Sequence, residues 1–338
     1  MSERYRVVIT DYLTGDLAPE REILGDLADV EALNAFHEDE LIGRIEDADA
    51  VMMYHCLAVS EKIIRRLTRC KLIVRCGVGV DNVDARAARQ CDIPVANIPD
   101  YGTEEVADSA IAMTLALARG VAQLNSILRA GADSWKHTHV VPLERLRGEV
   151  FGIVGLGRIG TAAALRAKAL GMDVVFYDPY KEDGYGKALG IRRTETLDAL
   201  LRQAYVVSLH CPLTEETRHL FNDRALAEMR PGAFLINTSR GAVVDTALLP
   251  AALASGQLAG AGIDVLPSEP PPEDDPLIVA WRDPNHPAHH RLLINPHAAF
   301  YCEQGQLDMR VKGSQACRRA LLGEPIRTII NEPVGKGN

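Results

Sequence analysis

The sequence predicts an α/β protein built of two doubly wound, parallel-sheet domains. Three observations carry that expectation. Short apolar, strand-like runs alternate with helix-like segments along the whole chain, the pattern of repeated βαβ units. The 338 residues leave room for two domains with separate cores. A long apolar segment, Glu104–Ala130, divides the strand-like runs into two series.

In the first series Val7–Thr10, Ala50–Met53, Leu72–Arg75 and Pro94–Ala96 read as strands, with helical material such as Pro19–Leu27 and Glu61–Arg69 between them. Glu104–Ala130 reads as one long helix. Its apolar residues Val106, Ala107, Ala110, Ile111, Met113, Leu115 and Leu117 cover nearly the whole circumference, which predicts burial on all sides. Thr103 is the expected N-cap, and Glu104 and Glu105 suit the positive end of the helix dipole. The second series begins at Val150, with strands expected at Phe151–Val154, Val174–Tyr177, Val206–Leu209, Phe234–Asn237, Gly262–Val265 and Leu292–Asn295. A helix over Arg158–Leu170 should be closed by Gly171. Pro267–His290, rich in proline and histidine, reads as a surface loop; His286, His289 and His290 lack the spacing and carboxylate company of a metal site. A last helix is expected over Gln304–Leu322.

Composition narrows the function. With 47% hydrophobic and 25% charged residues the chain is globular, not disordered. A net charge of -9 argues against nucleic acid or an anionic membrane as a bulk partner. The longest apolar stretch, Ala110–Ala118, is about half of what a membrane span needs, and Met1–Arg6 leads straight into a strand without a leader pattern. The seven cysteines form no C-x-x-C, so they read as free thiols in a reducing compartment, and the expected location is cytoplasmic.

Gly155-Leu156-Gly157-Arg158-Ile159-Gly160 is a G-x-G-x-x-G placed between an expected strand and an expected helix, the context that gives this motif meaning. Gly155 permits the tight turn, Gly157 lets the backbone approach a diphosphate, and Gly160 lets helix pack on strand. The diphosphate then sits on unpaired N–H groups at the positive end of the helix. The next strand ends at Asp178, a carboxylate that accepts hydrogen bonds from ribose hydroxyls and repels a 2′-phosphate. The expected cofactor is NAD(H), bound by a Rossmann domain.

Three polar residues come just after expected strand ends, where open α/β sheets hold ligands: Arg240 in Thr238-Ser239-Arg240-Gly241, Glu269 in Gly262–Pro270, and His297 in Pro296-His297-Ala298-Ala299. With these motifs in order, and with Arg75-Cys76-Gly77-Val78-Gly79-Val80-Asp81-Asn82-Val83-Asp84 and His210-Cys211-Pro212-Leu213-Thr214 beside them, the chain resembles the D-isomer-specific 2-hydroxyacid dehydrogenases over essentially its whole length. Phe176–Tyr180 and His297–Gln304 resemble the C-terminal-binding-protein branch; phosphoglycerate dehydrogenases are the other near relatives.

The resemblance implies that Arg240, Glu269 and His297 form the catalytic set, and the chemistry agrees. Imidazole titrates near neutrality, so His297 can give a proton to a keto oxygen or take one from a hydroxyl. Glu269 would pair with the far ring nitrogen and fix the tautomer. Arg240 offers a planar fork for a carboxylate and can polarise the carbonyl. Gly77-Val78-Gly79 comes directly after a strand and could form an anion-binding nest for the substrate carboxylate. Arg75 would add a second positive charge there or form a structural ion pair, and Phe300 would wall the pocket or pack a hinge.

For NAD the resemblance adds Arg158 and Ile159 at the diphosphate, Pro212 and Thr217 on the adenosine side, and Thr238 and Asp264 near the nicotinamide, with Thr103 also in reach. It further implies a Rossmann domain, 101–299, inserted into a flavodoxin-like substrate domain, 1–100 and 300–338. Hinges near Pro99–Thr103 and Asn295–Phe300 should let that cleft close, and a homodimer should form on Glu104–Ala130. The substrate is a small 2-keto or 2-hydroxy acid. The alternatives are an NAD(H)-sensing, corepressor-like binding module and a phosphoglycerate dehydrogenase. The stretch from Glu269 to His297 is longer than the family pattern and carries Trp281, which bears on substrate size.

Overall fold

The computed structural model describes residues 4–131 and 135–331. The chain divides into two compact units, Met1–Gly102 with Cys302–Asn338, and Thr103–Tyr301. The elements run in chain order as β1 (Tyr5–Ile9), α1 (Ala18–Leu24), β2 (Ala28–Ala32), β3 (Ala50–Met53), α2 (Glu61–Ile64), β4 (Ile73–Arg75), α3 (Ala85–Gln90) and β5 (Val95–Asn97). The second unit holds α4 (Thr103–Ala118), α5 (Val121–Ala130), β6 (Val150–Val154), α6 (Arg158–Ala169), β7 (Asp173–Tyr177), α7 (Tyr185–Leu189), β8 (Arg192–Arg193), α8 (Leu197–Leu201) and β9 (Val206–Leu209). It continues through α9 (Asp223–Glu228), β10 (Ala233–Asn237), α10 (Leu249–Ser255), β11 (Leu258–Ile263), α11 (Pro276–Arg282) and β12 (Leu292–Ile294); α12 (Glu303–Leu322) comes after it in the chain. Among these helices no single one is long and apolar enough to cross a membrane.

The first unit is a five-stranded parallel sheet in the order β2-β1-β3-β4-β5, the flavodoxin-like winding. Its edge strand β2, Ala-Asp-Val-Glu-Ala, is not expected from the sequence: alternating acids on a sheet edge do not read as an apolar run. Helix α2 stops at Ile64, short of the expected Arg69, because the chain turns away and the Thr68 N–H donates to the Glu46 carbonyl. Helix α12 returns to this unit and lies on α1. There the Arg310 guanidinium makes a two-pronged contact with the fully buried Glu20, Nε to Oε1 at 2.7 Å and Nη2 to Oε2 at 2.6 Å.

The second unit is a seven-stranded parallel sheet in the order β12-β11-β10-β9-β6-β7-β8, the Rossmann winding extended by one strand. Most strand residues are buried, as strands covered on both faces must be. One core, including Leu200, Leu235, Leu253 and Ile263, fills one face of the sheet. The other, with Phe151, Ile153 and Phe176, lies under α4 and α6.

Three expectations are corrected here. The segment Glu104–Ala130 is not one helix buried all round. It breaks after Ala118 and bends by 59°, with Gly120 in the left-handed region at φ +63°. A Cβ on Gly120 would lie 2.5 Å from Val140 Cγ1, so the close approach of Val140 adds a second reason for glycine. Helix α4 buries Ala107, Ala110, Met113 and Leu117 against α6, β10 and β11 of its own unit, while Asp108 and Ala112 are exposed; α5 has no buried residue. Thr103 is the first residue of α4 rather than a residue outside it. The stretch Pro267–His290 is also more than a loop. It contains α11, started by Pro276 and capped by Asp275, whose Oδ1 accepts the N–H groups of Leu277 and Ile278. That helix buries Leu277, Ile278 and Ala280.

Removing one partner of the Glu20–Arg310 pair strands a carboxylate away from water. Arg310→Ala should therefore lower unfolding free energy by about 3–5 kcal/mol, measured by urea denaturation monitored by circular dichroism. A loss below about 1 kcal/mol would show that water reaches Glu20 in the variant.

Candidate active site

The site is assembled by strand register. Asn237 of β10 pairs with Ile263 of β11, and Ile263 pairs with Ile294 of β12, so the three strands end level with one another. The loops leaving these three ends must therefore share one edge of the sheet. Arg240 comes after β10, Asp264 and Glu269 after β11, and His297 after β12.

His297 sits in the left-handed backbone region, at φ +52°. A residue with a Cβ occupies that region uncommonly, and fixed hydrogen bonds around it offset the cost. Here those bonds come from buried Asp264: its carbonyl accepts the His297 N–H at 2.7 Å, and its carboxylate accepts the N–H groups of Ala298 and Ala299 at 3.0 and 3.1 Å. Burial raises the Asp264 pKa, and those two amides oppose the shift. Asp264, expected near the nicotinamide, thus holds the turn that presents His297. Phe300 stands at the end of the same turn, its ring edge-on to the imidazole with centroids 6.1 Å apart.

The imidazole is oriented from the other side by Glu269. Glu269 Oε2 lies 2.6 Å from His297 Nδ1, and Oε1 accepts the Leu266 N–H at 2.8 Å. The carboxylate is therefore fixed at both oxygens, and the pairing assigns the Nδ1 proton to the Glu269 side of the ring.

The loop carrying Arg240 is built by a residue that the sequence alone does not single out. Buried Asn237 accepts from Ser239 N and Oγ at 3.0 and 2.9 Å and donates to the Arg240 carbonyl at 2.9 Å. Its signal in the sequence is its place, an amide at a strand end directly before Thr238-Ser239-Arg240-Gly241. Gly241 then lets this loop press on the next one: a Cβ there would sit 2.0 Å from the Leu266 carbonyl carbon. That contact brings the Arg240 loop against the segment that leads to Glu269.

The glycine loop lies farther along the same edge, after β6. Gly155 has φ +91° and packs on the Cys211 backbone. A Cβ on Gly160 would lie 2.1 Å from the Gly155 carbonyl oxygen, whereas one on Gly157 would meet nothing within 4 Å. The three glycines thus do three different things: turn, open face, close packing. Gly157 stands at the N-cap of the 12-residue α6 with no side chain capping the helix. Arg158 is exposed and Ile159 half-buried on its first turn. Asp178 braces the loop, accepting from Leu156 N and Tyr180 N at 2.8 and 2.9 Å, and each carboxylate oxygen keeps lone-pair capacity for a further donor. Across the loop, the Thr217 hydroxyl donates to the Pro212 carbonyl at 2.7 Å and accepts from Thr214 N, so Thr217 shapes the turn that carries Pro212. The hydroxyls of Thr238 and Thr103 are buried with no hydrogen-bond partner.

In the first unit, Arg75 is buried and donates to Asn82 Oδ1 and the Cys76 carbonyl. The Gly77 N–H donates to the Arg75 carbonyl at 2.8 Å, so a nest in this loop rests on the amides of Val78 and Gly79.

Residues 111–299 match the family described as D-isomer specific 2-hydroxyacid dehydrogenase, NAD binding domain. A D-3-phosphoglycerate dehydrogenase of Methanocaldococcus jannaschii is 31% identical over 328 residues, covering 97% of this chain and 60% of that protein. C-terminal-binding protein 1 of Caenorhabditis elegans is 34% identical over 316 residues, covering 91% of this chain and 42% of that protein. The chain spans about half the length of these curated relatives. Among solved structures, D-lactate dehydrogenase from Aquifex aeolicus complexed with NAD and lactic acid superposes with a TM-score of 0.84 at 26% identity, over 97% of this chain and 99% of that one.

The chain belongs to the D-isomer-specific 2-hydroxyacid dehydrogenase family. It carries that family's NAD-binding domain, and the local structure fits the cofactor. The open face of Gly157, the uncapped N-terminus of α6 and the unpartnered Thr238 and Thr103 hydroxyls are donors and space of the kind a dinucleotide fills.

The glycine geometry separates binding from folding. Gly157→Val should leave the melting temperature nearly unchanged and weaken NADH binding roughly tenfold or more, measured by fluorescence titration. Gly160→Ala should instead lower the melting temperature. Equal thermal damage from both changes would contradict the open-face assignment of Gly157.

Proposed function

We propose that the chain reduces small 2-keto acids to D-2-hydroxy acids with NADH and runs the reverse oxidation with NAD. The observation that carries the reading is the 2.6 Å contact between His297 Nδ1 and Glu269, on the sheet edge that also carries Arg240 and the glycine loop.

NADH bound at the glycine loop would supply the hydride for the carbonyl carbon of the keto acid. His297 gives the proton to the carbonyl oxygen from Nε2, since Nδ1 is engaged by Glu269. Losing the Nε2 proton leaves the Nδ1-protonated tautomer, the form that the Glu269 carboxylate accepts from. In the oxidative direction the same nitrogen takes the hydroxyl proton. Arg240 holds the substrate carboxylate and polarises the carbonyl with its planar, permanently charged fork. Phe300, beside the imidazole, walls the pocket. On the first unit, Arg75 and the amides of Val78 and Gly79, in the loop made by Gly77, are proposed as anion-binding groups. Asp178 is assigned to the ribose hydroxyls, Arg158 and Ile159 to the diphosphate, and Pro212 with Thr217 to the adenosine side.

His297→Asn should lower kcat for NADH oxidation by roughly 10²–10⁴-fold against a panel of glyoxylate, hydroxypyruvate, pyruvate and phenylpyruvate, with NADH binding retained. Arg240→Lys keeps the charge and loses the fork, and should lower kcat/KM by roughly 10²-fold. Tight NADH binding with no turnover on any of these acids would favour a cofactor-sensing module instead.

We infer also that the protein forms a homodimer, through α5 rather than α4. Leu124, Ile127 and Leu128 of α5 line one depression together with the exposed Trp135, and nothing on α5 is buried within its own chain. Light scattering should give twice the mass of the 36.8 kDa chain, and Leu128→Asp should shift it toward the monomer. A monomer at micromolar concentration would end this inference.

A further inference from the structure

Strand β6, which carries the glycine loop, lies between β9 and β7, and the three end level: Val154 pairs with Tyr177 on one side and with Leu209 on the other. Two sheet spacings, about 10 Å, therefore separate the chain leaving β7 from the chain leaving β9. One hydrogen bond joins those two flanks. The Tyr180 hydroxyl, three residues past β7, donates to Glu216 Oε2 in the turn beyond β9. Both ends of the bridge are anchored. The Tyr180 N–H donates to Asp178 Oδ1, and the turn around Glu216 is tied by the bonds from Thr214 N to Thr217 Oγ1 and from Thr217 Oγ1 to the Pro212 carbonyl.

We propose that Glu216, held over the glycine loop by Tyr180, is a specificity-determining residue for the adenosine half of the cofactor, a second carboxylate that acts with Asp178 against a 2′-phosphate. The inference rests on the assignment of Asp178 to the ribose. Tyr180 is 78% exposed, so packing does not explain why it reaches across. A ribose 2′-phosphate carries up to two negative charges and would enter a groove with an acid on each flank. A nucleotide without that phosphate meets no such penalty, and the Tyr180 phenol, a neutral donor, keeps the Glu216 carboxylate in place. A solvent-exposed repulsion over several ångströms is worth roughly 3- to 10-fold in affinity and falls with salt.

Calorimetric titration with NAD and with NADP tests this without any turnover. Asp178→Ser should improve NADP binding yet leave NAD favoured. Adding Glu216→Gln should improve NADP binding a further 3- to 10-fold, with NAD affinity within about twofold, and the gain should shrink in high salt. Tyr180→Phe, which releases Glu216 without removing it, should move NADP affinity the same way by less. Unchanged NADP affinity on Glu216→Gln, in both the native and the Asp178→Ser background, would overturn the proposal. If Asp178→Ser leaves the NAD-to-NADP ratio unchanged while Glu216→Gln shifts it, the Asp178 reading fails and Glu216 stands. Melting temperatures should not move, since both Tyr180 and Glu216 are exposed.

Discussion

The candidate site depends first on the register of parallel strands. In a parallel sheet every crossover returns the chain to the same end, so all strands deliver their succeeding residues to one edge. In the second unit that rule places seven successive loops on one line. The glycine loop, Asp178 and the Pro212 turn surround β6; Arg240, Glu269 and His297 surround β11. A register slip of one residue between β10 and β11 would turn side chains to the opposite face and break the bond from the Asp264 N–H to the Asn237 carbonyl. The cofactor half and the chemical half of the site are thus consequences of one hydrogen-bonding pattern.

The same edge shows how backbone strain is held. His297 adopts a conformation that costs an ordinary residue about 1–3 kcal/mol, and the return is an imidazole aimed at Glu269. The interactions that offset the cost are local. Asp264 supplies a carbonyl and a carboxylate to three successive amides, from His297 to Ala299. Asn237 does the equivalent for Arg240 through one side-chain amide. In each case a buried polar residue at a strand end fixes the turn that carries a half-buried polar residue, Arg240 or His297.

Much of this is legible in the sequence, and the parts that are not have physical reasons. The glycine loop can be read because its spacing states backbone requirements directly. Arg240, Glu269 and His297 can be read because each comes after an apolar strand. The left-handed turn at His297 cannot, since it is held by Asp264, 33 residues earlier in the chain. Strand β2 escapes notice because Asp29 and Glu31 mask an edge strand, and β8 because two arginines do not look like a strand at all. Gly120 hides inside an apolar run that otherwise satisfies a helix. Pro276 sits among prolines that suggest a loop, yet it is the first residue of α11. The Tyr180–Glu216 bridge joins positions 36 residues apart, a distance at which no periodicity speaks.

A protein of net charge -9 that binds an anionic cofactor must keep its carboxylates from repelling it. The acids on this edge are handled one by one. Asp178 faces the amides of Leu156 and Tyr180, Asp264 those of Ala298 and Ala299, and Glu269 the Leu266 amide and the His297 ring. Each carboxylate is matched by donors that it also positions, which offsets the cost of holding a charge at that place. Glu216 is met by a side chain, the Tyr180 hydroxyl, where the others are met by backbone amides. Asp264 and Glu269 are spent on the turn and the ring beside them, whereas Asp178 and Glu216, one after β7 and one after β9, are the two acids proposed to tell apart nucleotides that differ by one phosphate.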